Sequence, residues 1–323
     1  MCFISYICAK SYNHLHLYRG GTVHLCCPGW VTTPVGHILE TSLIDIWQGD
    51  KVRAVRDSIA CGEFRYCGSC PHAKTRSGPV QPMAVGESRP DSSKIGLLMM
   101  GYDFQCNLKC PSCRPDWVVQ STKEKIQIED ITNQLIASGT LKDVKVLGLI
   151  GGGDPFASSQ CQLLLRSIPW SEYPDLKIIF FTNGLLLNVH CWSALGEIAK
   201  RVIEVRLSVD AATPETYALN RGGDWTTLMD NMRFIGTLRR TGQLSAVYYS
   251  FVVQANNYHE MIMFLRLAKS YHADHVEFSN LEQWGSYSTE DYKARAVHLP
   301  AHPQHRDFLS FQETTRGVMN VLF

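Results

Sequence analysis

The chain has 323 residues, is 45% hydrophobic and 19% charged, and sets 31 basic against 30 acidic side chains for a net charge of +1. This composition excludes a disordered chain, a collagen-like repeat and a coiled coil. The even charge balance gives no broad footprint for nucleic acid or an anionic membrane, although a local basic patch stays open. No run approaches the ~20 apolar residues that span a bilayer, and Met1–Lys10 lacks the basic start and long apolar stretch of a secretory signal. A cytoplasmic protein is expected, with neither nucleic acid nor membrane as a partner.

Residues 1–75 read as a small cysteine-rich module. His14-Leu-His-Leu-Tyr18 alternates polar and apolar, Arg19-Gly-Gly21 interrupts it, and Thr22-Val-His-Leu-Cys26 resumes. That pattern predicts a β-hairpin delivering Cys26 and Cys27 at the end of its second strand. Ser42 is the expected N-cap of a helix running through Trp47, Val52, Val55 and Ile59. Residues 76–93, rich in Ser, Pro and Gly, form the best linker. From Lys94 onward strands are predicted at 95–102, 144–150, 177–182, 202–209, 245–253 and 275–279. Helices are predicted between them at 128–137, 159–168, 190–200, 225–240 and 258–271. Apolar strands alternating with amphipathic helices mean α/β, a parallel sheet covered by helices. A partial barrel or a doubly wound sheet would both fit. Either places ligands at the carboxyl ends of the strands. The barrel segment is bounded at 94–285, with a C-terminal extension at 286–323.

Twelve cysteines are the anomaly. In a reducing compartment clustered cysteines bind metal or do chemistry rather than form disulfides. Cys26, Cys27, Cys61, Cys67 and Cys70 fall in the first quarter, Cys106, Cys110 and Cys113 form a tight trio, and Cys2, Cys8, Cys161 and Cys191 are scattered. Two clusters imply two metal sites. The trio follows directly on the first barrel strand. Three thiolates on one short loop can grip three corners of a cubic iron–sulfur cluster and leave the fourth iron open. Structural zinc is the alternative, but it wants four ligands and no fourth is near in sequence. In the N-terminal module Cys61, Cys67 and Cys70 supply two ligand spacings. Cys27, or Cys26 in its place, would complete a set of four for a cluster or a zinc ion.

The CxxxCxxC spacing after a first strand resembles the signature of the radical S-adenosylmethionine (SAM) enzymes. Further matches follow in that family's order. Gly151-Gly-Gly-Asp-Pro155 resembles its GGEP motif, Thr182-Asn-Gly184 its TNG element, Arg206-Leu-Ser-Val-Asp210 its serine-bearing strand end, and Arg221-Gly-Gly its downstream arginine. Ser112 stands where an aromatic residue is common, and Asp154 replaces the usual glutamate. The stretch from Leu25 through Gly36-His-Ile, Ile46-Trp47, Val52-Arg53 and Cys67-Gly-Ser-Cys70 is similar to a SPASM domain, an auxiliary cluster-binding module. In most relatives that module follows the barrel; here it precedes it.

The resemblance implies a partial (β/α)6 TIM-like barrel preceded by the SPASM-like domain. It implies a catalytic [4Fe-4S] cluster on Cys106, Cys110 and Cys113, and a second [4Fe-4S] cluster in the N-terminal module. SAM would be held by Gly151, Gly152, Gly153, Asp154, Asn183, Ser208, Asp210 and Arg221. Glycines let a backbone approach a zwitterion closely, and an arginine can pair bidentately with its carboxylate. One electron, from a reductase or a flavodoxin or ferredoxin, would cleave SAM to a 5′-deoxyadenosyl radical that takes hydrogen from a carbon of a peptide or other natural-product precursor, in an oxidation or cross-linking. Epimerisation or dehydration of a sugar or alcohol is the alternative within enzymology. A non-catalytic iron–sulfur electron-transfer protein or scaffold is the alternative outside it.

Other features have ordinary readings. His298, His302 and His305 share a run with two prolines, which argues for a surface loop. Cys161 and Cys191 read as core thiols rather than hydrogen-atom donors. Trp284, Tyr287 and Tyr292 either meet substrate or plug the open end of the barrel. His72 and Arg65 flank the auxiliary cysteines without an assigned role.

Overall fold

The computed structural model describes residues 5–68, 70–83, 88–149, 152–315 and 321–322. The chain divides into two compact units. The first runs to Phe104 and takes in Gln120–Gly152 and Ser158–Ile178. The second comprises Gln105–Val119, Gly153–Ala157 and the chain from Ile179.

The first unit begins with β1 (Ser5–Cys8), β2 (His14–Leu17), β3 (Thr22–His24) and β4 (Gly36–His37), then α1 (Leu43–Gln48), α2 (Asp50–Ala60), α3 (Pro71–Thr75) and β5 (Val80–Met83). The predicted hairpin forms, with His16 opposite His24 and Leu17 opposite Val23. Its turn is possible because Gly20 and Gly21 adopt positive φ of 67° and 89°. Ser42 caps α1 by accepting from the Asp45 amide. Trp47 is fully buried, its indole N–H donates to the Ser92 carbonyl at 2.7 Å, and the Arg56 guanidinium lies 4.3 Å over its ring. The stretch 76–93, expected as a linker, carries β5, which pairs antiparallel with β1. Val80 is buried there and supplies the apolar anchor.

The unit continues with β6 (Ile95–Met100), α4 (Thr122–Ala137), β7 (Val144–Leu149) and α5 (Ser159–Ser167). β6 is parallel to β7 on one side and to β2 on the other. α4 starts six residues before the predicted 128, because Ser121 and Glu124 form a reciprocal capping box that extends the helix beyond its apolar stripe.

The second unit holds β8 (Lys177–Thr182), α6 (Val189–Ala194), β9 (Val202–Ser208), α7 (Pro214–Asn220), α8 (Trp225–Arg240), β10 (Ala246–Val253), α9 (Met261–Ser270), β11 (His275–Asn280), α10 (Thr289–Arg295), α11 (His305–Thr315) and β12 (Val321–Leu322). Strands β8 to β12 lie side by side in chain order, and β9 to β12 pair in parallel. A doubly wound sheet would reverse its order at a switch point. In the second unit β8 to β12 do not reverse, and the fold is the partial (β/α)6 barrel class, with the cysteine-rich module before it. The predicted helix 190–200 is α6 followed by a 3-10 turn at Gly196–Arg201. α7, which the sequence reading passed over, is set by Thr213 as N-cap and Pro214 at its first position. Among the described residues no helix is long and apolar enough to cross a membrane.

The helix side of β10 and β11 packs an aromatic knot. Phe264 of α9 is fully buried, with ring centroids 4.8 Å from Phe251, 6.2 Å from Phe278 and 6.4 Å from Tyr249. Phe264→Ala is expected to cost about 3–5 kcal/mol, the transfer term plus the cavity left behind. The urea midpoint would fall; an unchanged midpoint would show that the knot does not hold the unit together.

Candidate functional site

The cysteine trio lies on the second unit's loop Gln105–Val119. A turn forms between Cys110 and Cys113, whose amide and that of Arg114 both donate to the Cys110 carbonyl at 2.9 and 3.1 Å. Cys110 is buried, Cys106 half-buried and Cys113 exposed. Burial pushes the Cys106 and Cys110 thiols up, with Arg221 opposing this at Cys110. The thiolate form that ligates metal therefore needs a strong positive partner, which a bound cluster supplies.

Asp154 anchors this loop to the end of β8. Its amide donates to the Gln105 carbonyl at 2.7 Å. Its carboxylate accepts from the Thr182 hydroxyl at 2.7 Å, the Asn183 amide at 2.8 Å and the Phe156 amide at 3.0 Å. Burial pushes this carboxyl up, and those hydrogen bonds work against the shift. Asn183 then reaches back to the loop, donating from Nδ2 to Asn107 Oδ1 at 2.8 Å and lying 3.8 Å from Cys106 Sγ. Gly151 lies outside the described residues. At Gly152, within the first unit, a Cβ would stand 1.9 Å from the Phe104 ring, so only glycine fits.

At the end of β9, Ser208 Oγ lies 3.3 Å from Ser250 Oγ. Two residues on, Asp210 is buried at 1% exposure with φ of 60°, a left-handed conformation that is costly for a residue with a Cβ. The surroundings fix it there. Asn220 and Asn257 side chains each donate to its carbonyl at 3.0 Å, the Val252 amide donates to its carboxylate at 2.7 Å, and Arg221 Nη1 pairs with it at 3.1 Å. Arg221 Nε is buried without a hydrogen-bond partner. A buried guanidinium with an orphaned donor, electrostatically coupled to Cys110 and Asp210, fits an anionic group bound at this place.

In the first unit one apolar-walled cavity gathers Cys8, Cys26, Cys67 and Cys70, closed by Trp30 and Phe64. Burial drives the Cys8, Cys26 and Cys67 thiols up, Cys26 to about 11 and Cys67, helped by the charge of Cys70, to about 12. Cys8, at the end of β1, was missed in the sequence; its pairing with the cavity depends on β1 joining β5, which local pattern does not announce. Cys27 and Cys61 do not line this cavity. Cys27 starts a turn whose Trp30 and Val31 amides donate to its carbonyl, and Cys61 is exposed at the end of α2. Among the described residues no trio of His, Cys, Asp and Glu converges closely enough to hold a single metal ion.

The remaining candidates have local partners. His302 and His305 contact the Ala294 and Val297 carbonyls at 3.1 and 3.0 Å. Tyr292 donates to the Leu281 carbonyl at 3.3 Å, Tyr287 lies under the Arg295 guanidinium at 4.8 Å, and Trp284 is half exposed. Cys161 and Cys191 sit in the first turns of α5 and α6. Arg65 pairs with Glu63, and the His72 ring packs against Gly78.

The Asp210–Arg221 pair yields a stability test. Asp210→Ala strands a buried guanidinium and is expected to cost about 3–5 kcal/mol. Asp210→Asn keeps an oxygen for the Val252 amide and tolerates the left-handed backbone, so it should cost less. Equal losses in urea unfolding would show that charge alone, and not backbone conformation, sets the penalty.

Residues 8–71 match the SPASM family, an iron-sulfur cluster-binding domain. The chain is 32% identical over 135 residues to a GTP 3′,8-cyclase of Pelotomaculum thermopropionicum, a match covering 41% of this chain and 39% of the cyclase. Solved structures similar to it include Streptococcus suis SuiB bound to the precursor peptide SuiA, at 16% identity and a TM-score of 0.48 over 71% of this chain and 49% of SuiB. Another is anSMEcpe with bound AdoMet, at 19% identity and a TM-score of 0.43 over 70% of this chain and 63% of that one. The chain thus matches less than two thirds of the length of each of these three relatives. The SPASM match over residues 8–71, the identity to the cyclase and the ordered motifs from Cys106 to Arg221 make the chain similar to radical SAM proteins that carry a SPASM iron–sulfur module.

Proposed function

We propose that the chain is an enzyme that cleaves SAM reductively and abstracts hydrogen from a carbon of a peptide or other natural-product precursor, in an oxidation or cross-linking. The observation that carries this reading is a buried guanidinium with an unused donor, held by Asp210 in the same unit as three thiols on one pinned loop. Cys106, Cys110 and Cys113 would hold a [4Fe-4S] cluster at three corners. A cluster is gripped at separate corner irons rather than at a point, so its ligands need not converge as those of zinc do. When bound there, such a cluster would supply, with SAM and one electron, reductive cleavage of SAM to methionine and a 5′-deoxyadenosyl radical.

The residues of this chain hold and orient. Arg221 would receive the SAM carboxylate on its free edge while Asp210 fixes the guanidinium. The backbone from Gly151 to Gly153 would lie along the methionyl amino group. Asp154 spends its carboxylate on Thr182, Asn183 and Phe156, so its part is to hold the turn and, through Asn183, the cysteine loop. Ser208 stands at the strand end as a further SAM contact.

For the auxiliary [4Fe-4S] cluster we favour Cys8, Cys26, Cys67 and Cys70, the four that share one cavity, over a set containing Cys27 and Cys61. Residues 1–75 are retained as the auxiliary module, 94–285 as the catalytic segment and 286–323 as an extension. This division is one of function, since β1 pairs with β5 and β2 lies beside β6. The electron donor would be a cytoplasmic reductase, flavodoxin or ferredoxin.

One set of variants tests both sites. Cys110→Ala should abolish 5′-deoxyadenosine formation and keep the auxiliary iron. Cys8→Ala should lower iron by about four atoms per chain, one cubic cluster, while Cys61→Ala leaves it unchanged. Deoxyadenosine still formed by Cys110→Ala would overturn the catalytic assignment, and iron lost only from Cys61→Ala would overturn the auxiliary one.

A further inference from the structure

The two faces of β9–β11 differ sharply. The helix side is fully apolar, with Val205, Leu207, Val247, Phe251, Val276 and Phe278 all buried. Alternation turns Glu204, Arg206, Ser208, Tyr248, Ser250, His275 and Glu277 to the opposite face. Arg206 is fixed there. Its Nε donates to Glu204, and its guanidinium lies 4.3 Å over the Tyr248 ring and 5.2 Å over Phe181. Tyr248 in turn stacks on His275 at 4.4 Å. Glu277 stands 3.9 Å from Arg206 Nη1, beyond hydrogen-bond reach, with 43% of its side chain exposed.

Two features point to a ligand. The first is charge. Glu204 neutralises Arg206 by direct contact, so Glu277 is a second carboxylate on a cation already spent. Among the described residues no other ion pair reaches Glu277. Ion pairs of this kind contribute little to folding, so stability gives no reason for the arrangement. The second is place. Ser250 is the register partner of both Ser208 and Glu277, so the three form one row across three strands. At about 4.8 Å per strand spacing, Glu277 lies roughly 10 Å along that row from Ser208.

We propose that Glu277 recognises substrate by receiving a cationic group, an ammonium or guanidinium. The alternation and register of β11 keep the Glu277 carboxylate on this face, beside an Arg206 already held by Glu204 and the two rings. The inference rests on the reading of Ser208 as a SAM contact, which sets Glu277 roughly 10 Å along the sheet from that contact. It narrows the substrate to an amine-bearing precursor, such as a peptide presenting lysine, arginine or a free N-terminus.

The test uses the reconstituted holoprotein with SAM, titrated calorimetrically with Nα-acetyl-lysine amide and its neutral analogue Nα-acetyl-norleucine amide. The lysine probe should bind about fivefold more tightly, the scale of a half-exposed ion pair. Glu277→Gln should erase that preference, Glu277→Asp should keep part of it, and Glu277→Lys should shift it to Nα-acetyl-glutamate amide. SAM affinity should stay at the wild-type value in all three variants. Binding of neither probe, equal binding of both, or a preference that survives Glu277→Gln would overturn the inference. A wild-type protein that selects the lysine probe but does not bind SAM would leave it standing and overturn the SAM reading instead.

Discussion

One buried carboxylate organises the cysteine-bearing end of the second unit. Asp154 is 2% exposed, and its oxygens accept from the end of β8 and from its own turn, while its amide holds the Gln105 carbonyl beside Cys106. A charge so deeply buried is tolerable only when its lone pairs are filled. The same bonds that satisfy it therefore fix the spacing between the glycine-rich turn, the Asn183 side chain and the cysteine loop. Shortening the family's glutamate to aspartate keeps this role, because the partners that matter are backbone amides and one hydroxyl close to the turn.

Asp210 and Arg221 form the second fixed point. Asp210 adopts a backbone conformation that costs energy, and four separate donors hold it there. Conformational cost of this kind persists where the surroundings over-determine the residue. Here the outcome is an arginine held rigidly with one donor in reserve. A ligand that meets a preorganised guanidinium loses less entropy than one that must order a flexible side chain. The site thus reads as two pinned loops and one pinned arginine.

The barrel segment was largely legible in sequence, because its strands are apolar runs and its helices carry clear caps and stripes. Helix α8 was placed at 225–240 and found there, and β8 at 177–182 likewise. What escaped was set by long-range pairing or by polar capping. β5 is a four-residue strand inside a Ser/Pro/Gly-rich stretch and is identified only by its partner β1. Five of the first six residues of α4 are polar and the sixth, Ile126, is exposed, so this turn is held by a capping box rather than by burial. At the candidate cofactor site the residue types were readable, but their division of labour was not. Nothing local distinguishes Asp154, whose carboxylate is consumed internally, from Arg221, which keeps a donor free.

The N-terminal module shows the same limit. CxxC spacing identifies Cys67 and Cys70, yet which distant cysteines join them depends on how β1 and β3 are laid against the rest of the unit. Cys8 and Cys26 reach the shared cavity by that route. The central claim is that Cys106, Cys110 and Cys113 hold a cluster whose fourth iron is open to SAM. Electron paramagnetic resonance of the reduced, reconstituted protein with and without SAM tests it most directly. SAM should change the spectrum of one cluster, and that spectrum and its response should both vanish in the triple alanine variant, leaving the auxiliary signal. A fully loaded wild-type protein whose spectrum ignores SAM would contradict the account.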